Sequence, residues 1–483
     1  MKLTENQRAF LDRIGKAAFI NPFSGARPEV IRDLVAATER PCEGVGEAEL
    51  VACIDAELRR MGPGDSAPPF TRVDGADAER LRIAHLFVVY YQLADPFDQL
   101  IEKTLAEPNH EPPVLAFAPA AIEDLMARGF SRERAIRAFT VFFQIRRAAR
   151  LIRLNLPGPS ACMERLRSAL WNAIFSKDLL YYESRLWNRM EDFSVLLLGE
   201  TGTGKGVAAQ ALGGSGYIPF DPHARRFAQN FPQSFVGLNL SQFPETLIES
   251  ELFGHRKGAF TGAISNHDGV FRRCQPHGVL FLDEIGDVST HVQIKLLNVL
   301  QERTFTPVGS SEPLPFSGRV LAATHQDLGE RRASGEFRDD FYYRLCSYEI
   351  HVPPLRQRLA ESPGELEHLV GVLLERTTGE IDPSPVLDAL KRDLPDGYEW
   401  PGNVRELEQA VRRILLTGSY GGDRKPSTDR LAEELRGGEL SIAEVNARYC
   451  RMLYERFGSY EEVARRVGVD RRTAKKHIDA AGE

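Results

Sequence analysis

Ser194-Val195-Leu196-Leu197-Leu198-Gly199-Glu200-Thr201-Gly202-Thr203-Gly204-Lys205-Gly206-Val207-Ala208-Ala209 decides the fold. Val195 to Leu198 is a short apolar run of the kind that forms a buried strand. Gly199 to Lys205 then spells G-x-x-x-x-G-K, and Val207-Ala208-Ala209 opens a helix. Strand, glycine loop and helix in that order make a phosphate-binding loop. The glycines let backbone N–H groups wrap the phosphates, and the helix N-terminus adds a favourable dipole. Lys205 would reach the β- and γ-phosphates of a bound nucleotide. The generic motif continues with Ser or Thr as a Mg²⁺ ligand; here Gly206 stands there, which shifts metal holding to other groups. The bland alternative is a glycine turn joining a strand to a helix.

A second run, Gly278-Val279-Leu280-Phe281-Leu282-Asp283-Glu284, ends a buried strand in two carboxylates. Such a strand end suits a Mg²⁺ and water site. Asp283 would hold Mg²⁺ through water, and Glu284 would polarise the attacking water; a helix N-cap is the alternative. Together with Val320–Ala323, these runs alternate with helical stretches, which predicts an α/β fold with a parallel sheet.

Outward from that centre, the chain divides by pattern. Residues 1–165 read as helices, with helical spacing of apolar residues over 79–93 and 132–154. Breaks fall at Gly62-Pro63-Gly64, Pro112-Pro113 and Pro157-Gly158-Pro159. An α/β segment over 166–355, a helical piece over 356–418, a polar linker over 419–440 and a small helical unit over 441–483 follow. The stretch from Gly213 to Phe235 reads as an ordered surface loop. Arg128, Arg132, Arg134, Arg137, Arg146, Arg147, Arg150 and Arg153 read as a solvated helix face docked on the α/β segment, with a nucleic-acid or phosphate-ligand site as the alternative.

The 483 residues suffice for three or four domains, and 42% hydrophobic with 27% charged content fits a globular protein. The net charge of −7 excludes an overall basic field, so any DNA contact needs a local patch. Six scattered cysteines form no CxxC or metal-ligand spacing, which points to free thiols in a reducing cytoplasm. No apolar run approaches the ~20 residues of a membrane span. At the end of the chain, 460–467 and 471–480 read as two helices around the turn Gly468-Val469-Asp470, after a helix over about 442–457. Val463, Ala464 and Val467 form one apolar stripe; Ala474, Ile478 and Ala481 form the other. Arg471, Arg472, Thr473, Lys475 and Lys476 lie on the second helix, as a helix-turn-helix reading double-stranded DNA would place them. A plain helical hairpin with a solvated basic face is the alternative.

Between the phosphate loop and the acidic strand end stands Gly258-Ala259-Phe260-Thr261-Gly262-Ala263. Its small residues free the backbone and offer one Phe and one Thr to a partner. This GAFTGA hexapeptide, in this order of motifs, resembles the sigma-54-dependent transcription activators, or bacterial enhancer-binding proteins. The resemblance covers about 170–418 closely and 442–480, similar to a Fis-type domain, less so; it does not reach the first 165 residues. It implies an AAA+ P-loop sheet with a helical lid, a helical regulatory region before it and a helix-turn-helix after it. It implies ATP and Mg²⁺ as cofactors, a hexameric ring, and sigma-54, RNA polymerase and upstream activator DNA as partners, in the cytoplasm and away from membranes.

Residue by residue, the resemblance implies that Asn239, in Gly237-Leu238-Asn239, is the switch partner of Glu284. Thr324 and His325 match the first sensor, where His325 replaces the usual Asn. Arg338 and Arg344 match two arginine fingers acting on a neighbouring subunit, and Arg405 matches the second sensor. Glu249 to Lys257 match the run into GAFTGA except Arg256, commonly Glu. Val308-Gly309-Ser310-Ser311 would form an assisting loop. A phospho-receiver module is disfavoured by the helical first 165 residues. Two rivals remain: an AAA+ remodelling ATPase with another protein target, and a nucleotide-binding DNA repressor that does not hydrolyse ATP.

Overall fold

A computed structural model describes residues 2–38, 47–62, 67–379, 382–421 and 441–480. Cys42, the break at Pro63-Gly64, most of the expected linker and the stripe residue Ala481 lie outside the described residues. The chain divides into two compact units, Met1–Asp388 with Gly397–Leu416, and Ala389–Asp396 with Thr417–Glu483.

Among the described residues, the first unit opens with eight α-helices: α1 (Glu5–Phe19), α2 (Arg27–Ala36), α3 (Glu47–Arg60), α4 (Gly75–Gln92), α5 (Ala94–Ala106), α6 (Ala118–Ala127), α7 (Arg132–Asn155) and α8 (Ala161–Phe175). Ser131 caps α7 by accepting from Arg134 N–H, and Pro157-Gly158-Pro159 separates α7 from α8. The boundary expected at 165/166 falls inside α8. The reason is packing: Leu170, Trp171, Ile174 and Phe175 of α8 share one core with Val195, Leu197, Ala208 and Ala323 of the α/β segment. A short helix α9 (Leu179–Tyr181) then runs into a π turn, Tyr182–Leu186.

The α/β segment holds β1 (Val195–Leu198), α10 (Lys205–Gly213), the hairpin β2 (Phe220–Asp221) and β3 (Arg226–Phe227), β4 (Phe235–Asn239) and α11 (Glu245–Phe253). The turn α12 (Val270–Arg273), β5 (Val279–Asp283), α13 (Thr290–Glu302), a ribbon of β6 (Thr304–Phe305) and β7 (Leu314–Pro315), and β8 (Arg319–Thr324) follow. Then come α14 (Leu328–Ala333), α15 (Asp339–Leu345) and β9 (Tyr348–His351). The sheet is parallel in the order β4-β5-β8-β1-β9. Its central strands are buried on both faces, which is why they read as continuous apolar runs rather than alternating ones. Asn239 pairs in register with Asp283, Asp283 with Ala323, and Leu198 with Thr324. The chemistry-bearing strand ends are therefore level at one edge.

The helical lid comprises α16 (Leu355–Glu361), α17 (Glu365–Thr378), α18 (Ser384–Asp393) and α19 (Asn403–Thr417). A buried ion pair, Arg358 Nε to Glu365 Oε1 at 2.7 Å, fastens it to the α7–α8 connection. Glu365 also accepts from Ser160 N–H at 2.9 Å, and Arg358 donates to Pro157 O at 2.7 Å.

Two expectations for this unit are corrected. The 213–235 stretch is not a surface loop. Its Ile218, Phe220, Phe227 and Phe231 are buried in a core with Phe97, Phe139 and Phe143 of the N-terminal helices. Phe143 and Phe227 stack with centroids 4.3 Å apart, and Leu115 N–H donates to Arg225 O at 2.8 Å. The arginine-rich stretch is a solvated face only in part: Arg132, Arg134 and Arg153 are exposed, whereas others are engaged within the fold. Arg128, at the end of α6, is buried against Asp55 and Asp124, and on α7 Arg146 pairs with Asp98 at 2.6 Å and Arg150 with Glu102 at 3.0 Å. Arg147 is fully buried, donates to Gly216 O and lies over Phe143 and Phe231; burial pushes its guanidinium down to about 9.

In the second unit, helices Ile442–Phe457, Tyr460–Val467 and Arg471–Ala480 pack around Cys450, Leu453, Val463, Ala464, Ala474 and Ile478. Ser441 and Glu444 form a capping box at the first helix, and Gly468, at φ 74°, ends the second.

Candidate functional site

The phosphate loop lies between β1 and α10, and its geometry requires glycine. Gly202 has φ 81°, and a Cβ there would come within 2.2 Å of Gly402 O; a Cβ on Gly199 would come within 2.7 Å of Val352 O. The cradle is thus closed around bare backbone. Lys205 is buried, and its Nζ donates to Gly199 O at 2.8 Å and Glu200 O at 3.1 Å. Burial lowers its pKa, against the opposing fields of Glu284 and Asp283. Thr203 Oγ1 donates to Glu200 O at 2.8 Å. Gly206 faces open space, with nothing within 4 Å of a notional Cβ.

At the end of β5, burial raises the Asp283 pKa, with the Glu284 charge adding to it. Asp283 Oδ1 accepts from Glu284 N–H at 3.1 Å, and Glu284 sits in the left-handed region at φ 56°. The Glu284 carboxylate is 2.8 Å from His325 Nδ1, at the end of β8. Asn239, level with Asp283, turns its Oδ1 to Ser241, accepting from N–H at 3.0 Å and Oγ at 2.8 Å. So His325, rather than Asn239, holds Glu284 here. Thr324 is buried, and its Oγ1 accepts from Gln326 N–H at 3.1 Å.

The lid reaches the loop through residues that motif reading passes over. Asn403, buried at φ 55°, accepts from Leu355 N–H at 2.8 Å and donates to Glu200 Oε2 and Thr201 O, both at 3.1 Å. Arg356 Nη1 donates to Glu200 at 2.8 Å. The Arg356 hydrogen bond, then Asn403, hold the Glu200 carboxyl down at about 2. The Pro401-Gly402-Asn403 turn is a visible signal for the Asn; Arg356 carries none. Arg405 is exposed, and its N–H donates to Gly202 O at 3.3 Å.

Arg338 stands at the N-cap of α15, and Arg344 lies in its last turn. Arg338 pairs with Asp340 at 2.7 Å, and its N–H donates to the buried Gln293 at 2.9 Å. Arg344 Nη2 donates to Leu300 O at 2.7 Å. Among the described residues, no three His, Cys, Asp or Glu side chains cluster as a metal site.

The GAFTGA loop leaves α11 and is built as a tight turn. Gly258 N–H donates to Ala263 O at 2.8 Å, and Ala263 N–H to Phe260 O at 3.0 Å, with both glycines at positive φ. Phe260, 40% exposed, and Thr261 lie at the tip; the Phe260 ring meets His255 edge-on at 4.9 Å. The second loop is welded to it: Arg256 N–H donates to Val308 O at 3.0 Å, and Gly309 leaves no room for a Cβ beside Ala259. Glu249 of α11 pairs with Lys295 at 2.6 Å and His291 at 3.0 Å on α13.

In the C-terminal unit, Arg471, Arg472, Lys475 and Lys476 are exposed on the last helix. Thr473 is half-buried, and its hydroxyl donates to Asp470 at 2.6 Å, so it serves the helix start. Arg471 pairs with Glu461 at 2.9 Å. No described helix is long and apolar enough to cross a membrane.

Residues 172–351 match the family model described as the Sigma-54 interaction domain. The chain is 40% identical over 291 residues to the transcriptional regulatory protein ZraR of Klebsiella oxytoca, covering 58% of this chain and 62% of that protein. It is 45% identical over 225 residues to the DNA-binding transcriptional regulator NtrC of Azospirillum brasilense, covering 46% and 43%. A crystal structure of NtrX from Brucella abortus in complex with ATP is similar at a TM-score of 0.43 and 22% identity, over 80% of this chain and 86% of that one. The chain thus spans less than two thirds of the curated relatives it matches.

Proposed function

We propose, from the premise that residues 172–351 form a sigma-54 interaction domain of the AAA+ kind, that the protein is an ATP-hydrolysing transcription activator. It binds upstream DNA through residues 441–483 and remodels closed complexes of sigma-54 RNA polymerase through its GAFTGA loop. The observation that carries the reading is the sheet register, which levels Asn239, Asp283 and Thr324 at one edge beside the phosphate loop. From Asn239 the chain passes through the turn Leu240–Gln242 into α11, and the loop that follows α11 carries GAFTGA.

In this reading the residues Gly199 to Gly206 bind the ATP phosphates through backbone N–H groups, and Lys205 turns from its loop carbonyls to them. Arg405 approaches from the lid. The half-buried Asp283 and the closed glycine cradle fit a nucleotide-bound Mg²⁺, with Asp283 as its protein partner. Bound there, Mg²⁺ would neutralise charge building on the phosphates. Glu284 orients the attacking water once His325 yields it. Asn239 competes for Glu284 as the γ-phosphate is sensed, which biases α11 between two positions. Arg338 and Arg344 act on the neighbouring subunit of a homo-oligomeric, hexameric ring, which requires them to leave Asp340 and Leu300 O. The helices of residues 1–165 regulate the ring, and the basic last helix reads DNA.

The test is ATP hydrolysis and open-complex formation on a sigma-54 promoter, wild type beside Thr261→Ala. Hydrolysis by both with opening by wild type alone is the expected result. Hydrolysis without opening, persisting after deletion of residues 1–165, would mean a different remodelling target. No hydrolysis by either form would transfer the site to a nucleotide-binding repressor.

A further inference from the structure

Gln293, near the start of α13, is a fully buried amide on a helix whose other buried residues are apolar. Its Nε2 donates to Val288 O at 3.0 Å and to Glu336 O at 2.9 Å, and its Oε1 accepts from Arg338 N–H at 2.9 Å. Both ends of the amide are thus satisfied, and each partner is backbone from outside α13. A Met would fill the same space without burying an amide, so packing alone does not call for Gln. A buried polar group with its bonds made rigidifies what it touches. Here it touches two segments: the end of the turn Ile285–Asp287 that follows Glu284, and the run Glu336-Phe337-Arg338 that leads into α15. A second side chain spans the same gap. Arg331 of α14 donates from Nη1 to Gly286 O at 2.6 Å, and from Nε and Nη2 to Glu336 Oε2 at 3.0 and 2.7 Å, with Asp287 3.7 Å away. Phe337 is buried, and its N–H donates to Arg331 O at 3.0 Å. The backbone that carries Arg338 is therefore tied twice to residues 286–288 of its own chain, while the Arg338 side chain stays at the surface, 39% exposed.

We propose that Gln293 is a positioning residue for Arg338, with Arg331 as its second brace. This rests on the reading above in which Arg338 acts on the neighbouring subunit. Gln293 works through the Arg338 backbone: it fixes the N–H, and with it the direction from which the guanidinium swings across. The anchor is the turn after Glu284, so the finger a chain offers is set from the catalytic strand end of that same chain. A shift of this turn passes through Gly286 O and Val288 O to Arg338, which links one site to the next around the ring. Loss of Gln293 is then felt in the neighbour's site more than in the site of the chain that bears the substitution.

The test co-expresses two full-length chains and follows ATP hydrolysis by the purified mixture. Glu284→Gln supplies intact fingers and a silent site; Arg338→Ala supplies an intact site and lacks the finger. Each alone should be inactive, and the mixture active. Gln293→Met added to the Glu284→Gln chain should lower the kcat of the mixture about 100-fold with KM unchanged, the cost of roughly 1 Å of misplacement. Added instead to the Arg338→Ala chain, whose finger is already gone, it should lower kcat far less. A merely structural role would weaken both mixtures alike. If circular dichroism shows Gln293→Met to be unfolded, Arg331→Met replaces it in both mixtures, with the same asymmetry expected. Equal loss in the two mixtures, or loss in neither, while the parent mixture is active, would overturn this proposal alone. A parent mixture as silent as its components, beside active wild type, would overturn the action of Arg338 on the neighbouring subunit and this proposal with it.

Discussion

Glu284 carries a local backbone cost of the kind that gathers at working sites. Its left-handed backbone costs on the order of 1–3 kcal/mol for a residue with a side chain. Its carboxylate is also tied to His325 at 2.8 Å. A neutral imidazole has one N–H donor and one acceptor nitrogen on opposite sides of the ring, where an amide sets two N–H donors beside its acceptor oxygen. His325→Asn preserves a donor to Glu284 and should therefore retain turnover. His325→Ala should change kcat about tenfold, the worth of one hydrogen bond to a charged group. Glu284→Gln should cut kcat at least about 100-fold while leaving nucleotide binding in place, as loss of a general base does; steady-state kinetics beside nucleotide titration separates the two effects. A different residue sets the acid limit of the N-terminal helices. His85 is fully buried, with Nε2 2.9 Å from Pro68 O and Nδ1 3.3 Å from Arg128 Nη1; Asp55 and Asp124 flank it through Arg128. Burial pushes its pKa down to about 4, with Arg128 adding to the shift. The unfolded chain takes up a proton near pH 6.5 that the folded chain refuses until about 4. Stability is therefore full above that window, falls as pH drops through it and levels below, by about 3 kcal/mol at most. Urea unfolding at pH 7 and pH 5 should show this loss in wild type and a smaller one in His85→Gln.

Among elements, the β2–β3 hairpin joins two regions that are separate in sequence. It leaves the chain between the phosphate-loop helix α10 and the strand β4 that ends in Asn239, and it buries Phe220, Phe227 and Phe231 among Phe97, Phe139 and Phe143. Phe227→Ala should destabilise the protein by about 3–5 kcal/mol, as truncating a buried Phe does. Because α7 shares that core, urea unfolding followed by circular dichroism should show the N-terminal helices and the sheet losing stability together. An unchanged midpoint would mean that the hairpin is merely laid on the surface. The hairpin also marks the limit of what local pattern can convey. β1, the phosphate loop and α10 are legible because strand, glycines, lysine and helix are consecutive, and the order of Asp283, GAFTGA and the C-terminal helices is legible for the same local reason. The hairpin's destination is not: Phe139 and Phe143 stand far upstream, and no pattern within 213–235 points to them. The arginines of α7 mislead in the same way, because Asp98 and Glu102, which neutralise Arg146 and Arg150, sit 48 residues away. Arg356 and Asn403 give no sign in sequence of partnering Glu200, because only folding brings the lid to the loop.

Over the whole molecule, charge is distributed so that attraction to DNA must be local. The chain carries −7 overall, while Arg471, Arg472, Lys475 and Lys476 crowd the exposed side of one short helix. The three C-terminal helices have their own core, so this helix is presented by a unit that folds around Cys450, Val463 and Ala474. The four cations are not equivalent. Arg471 is engaged by Glu461 at 2.9 Å and must give up that pair to reach a phosphate, whereas Arg472 and Lys476 have no such ion pair to break among the described residues. Removing one cation that neutralises a phosphate should lower the slope of log K against log salt by about 0.9. Arg472→Ala and Lys476→Ala should each flatten the slope by that amount. Arg471→Ala should flatten it less, because Glu461 already neutralises part of that guanidinium's charge. Thr473→Ala should leave the slope unchanged and instead loosen the helix start, since its hydroxyl is held by Asp470. Binding isotherms on one upstream site at several salt concentrations, with the four variants side by side, measure all of these slopes. Identical slopes for all four would mean that the basic face is solvated and that DNA is bound elsewhere.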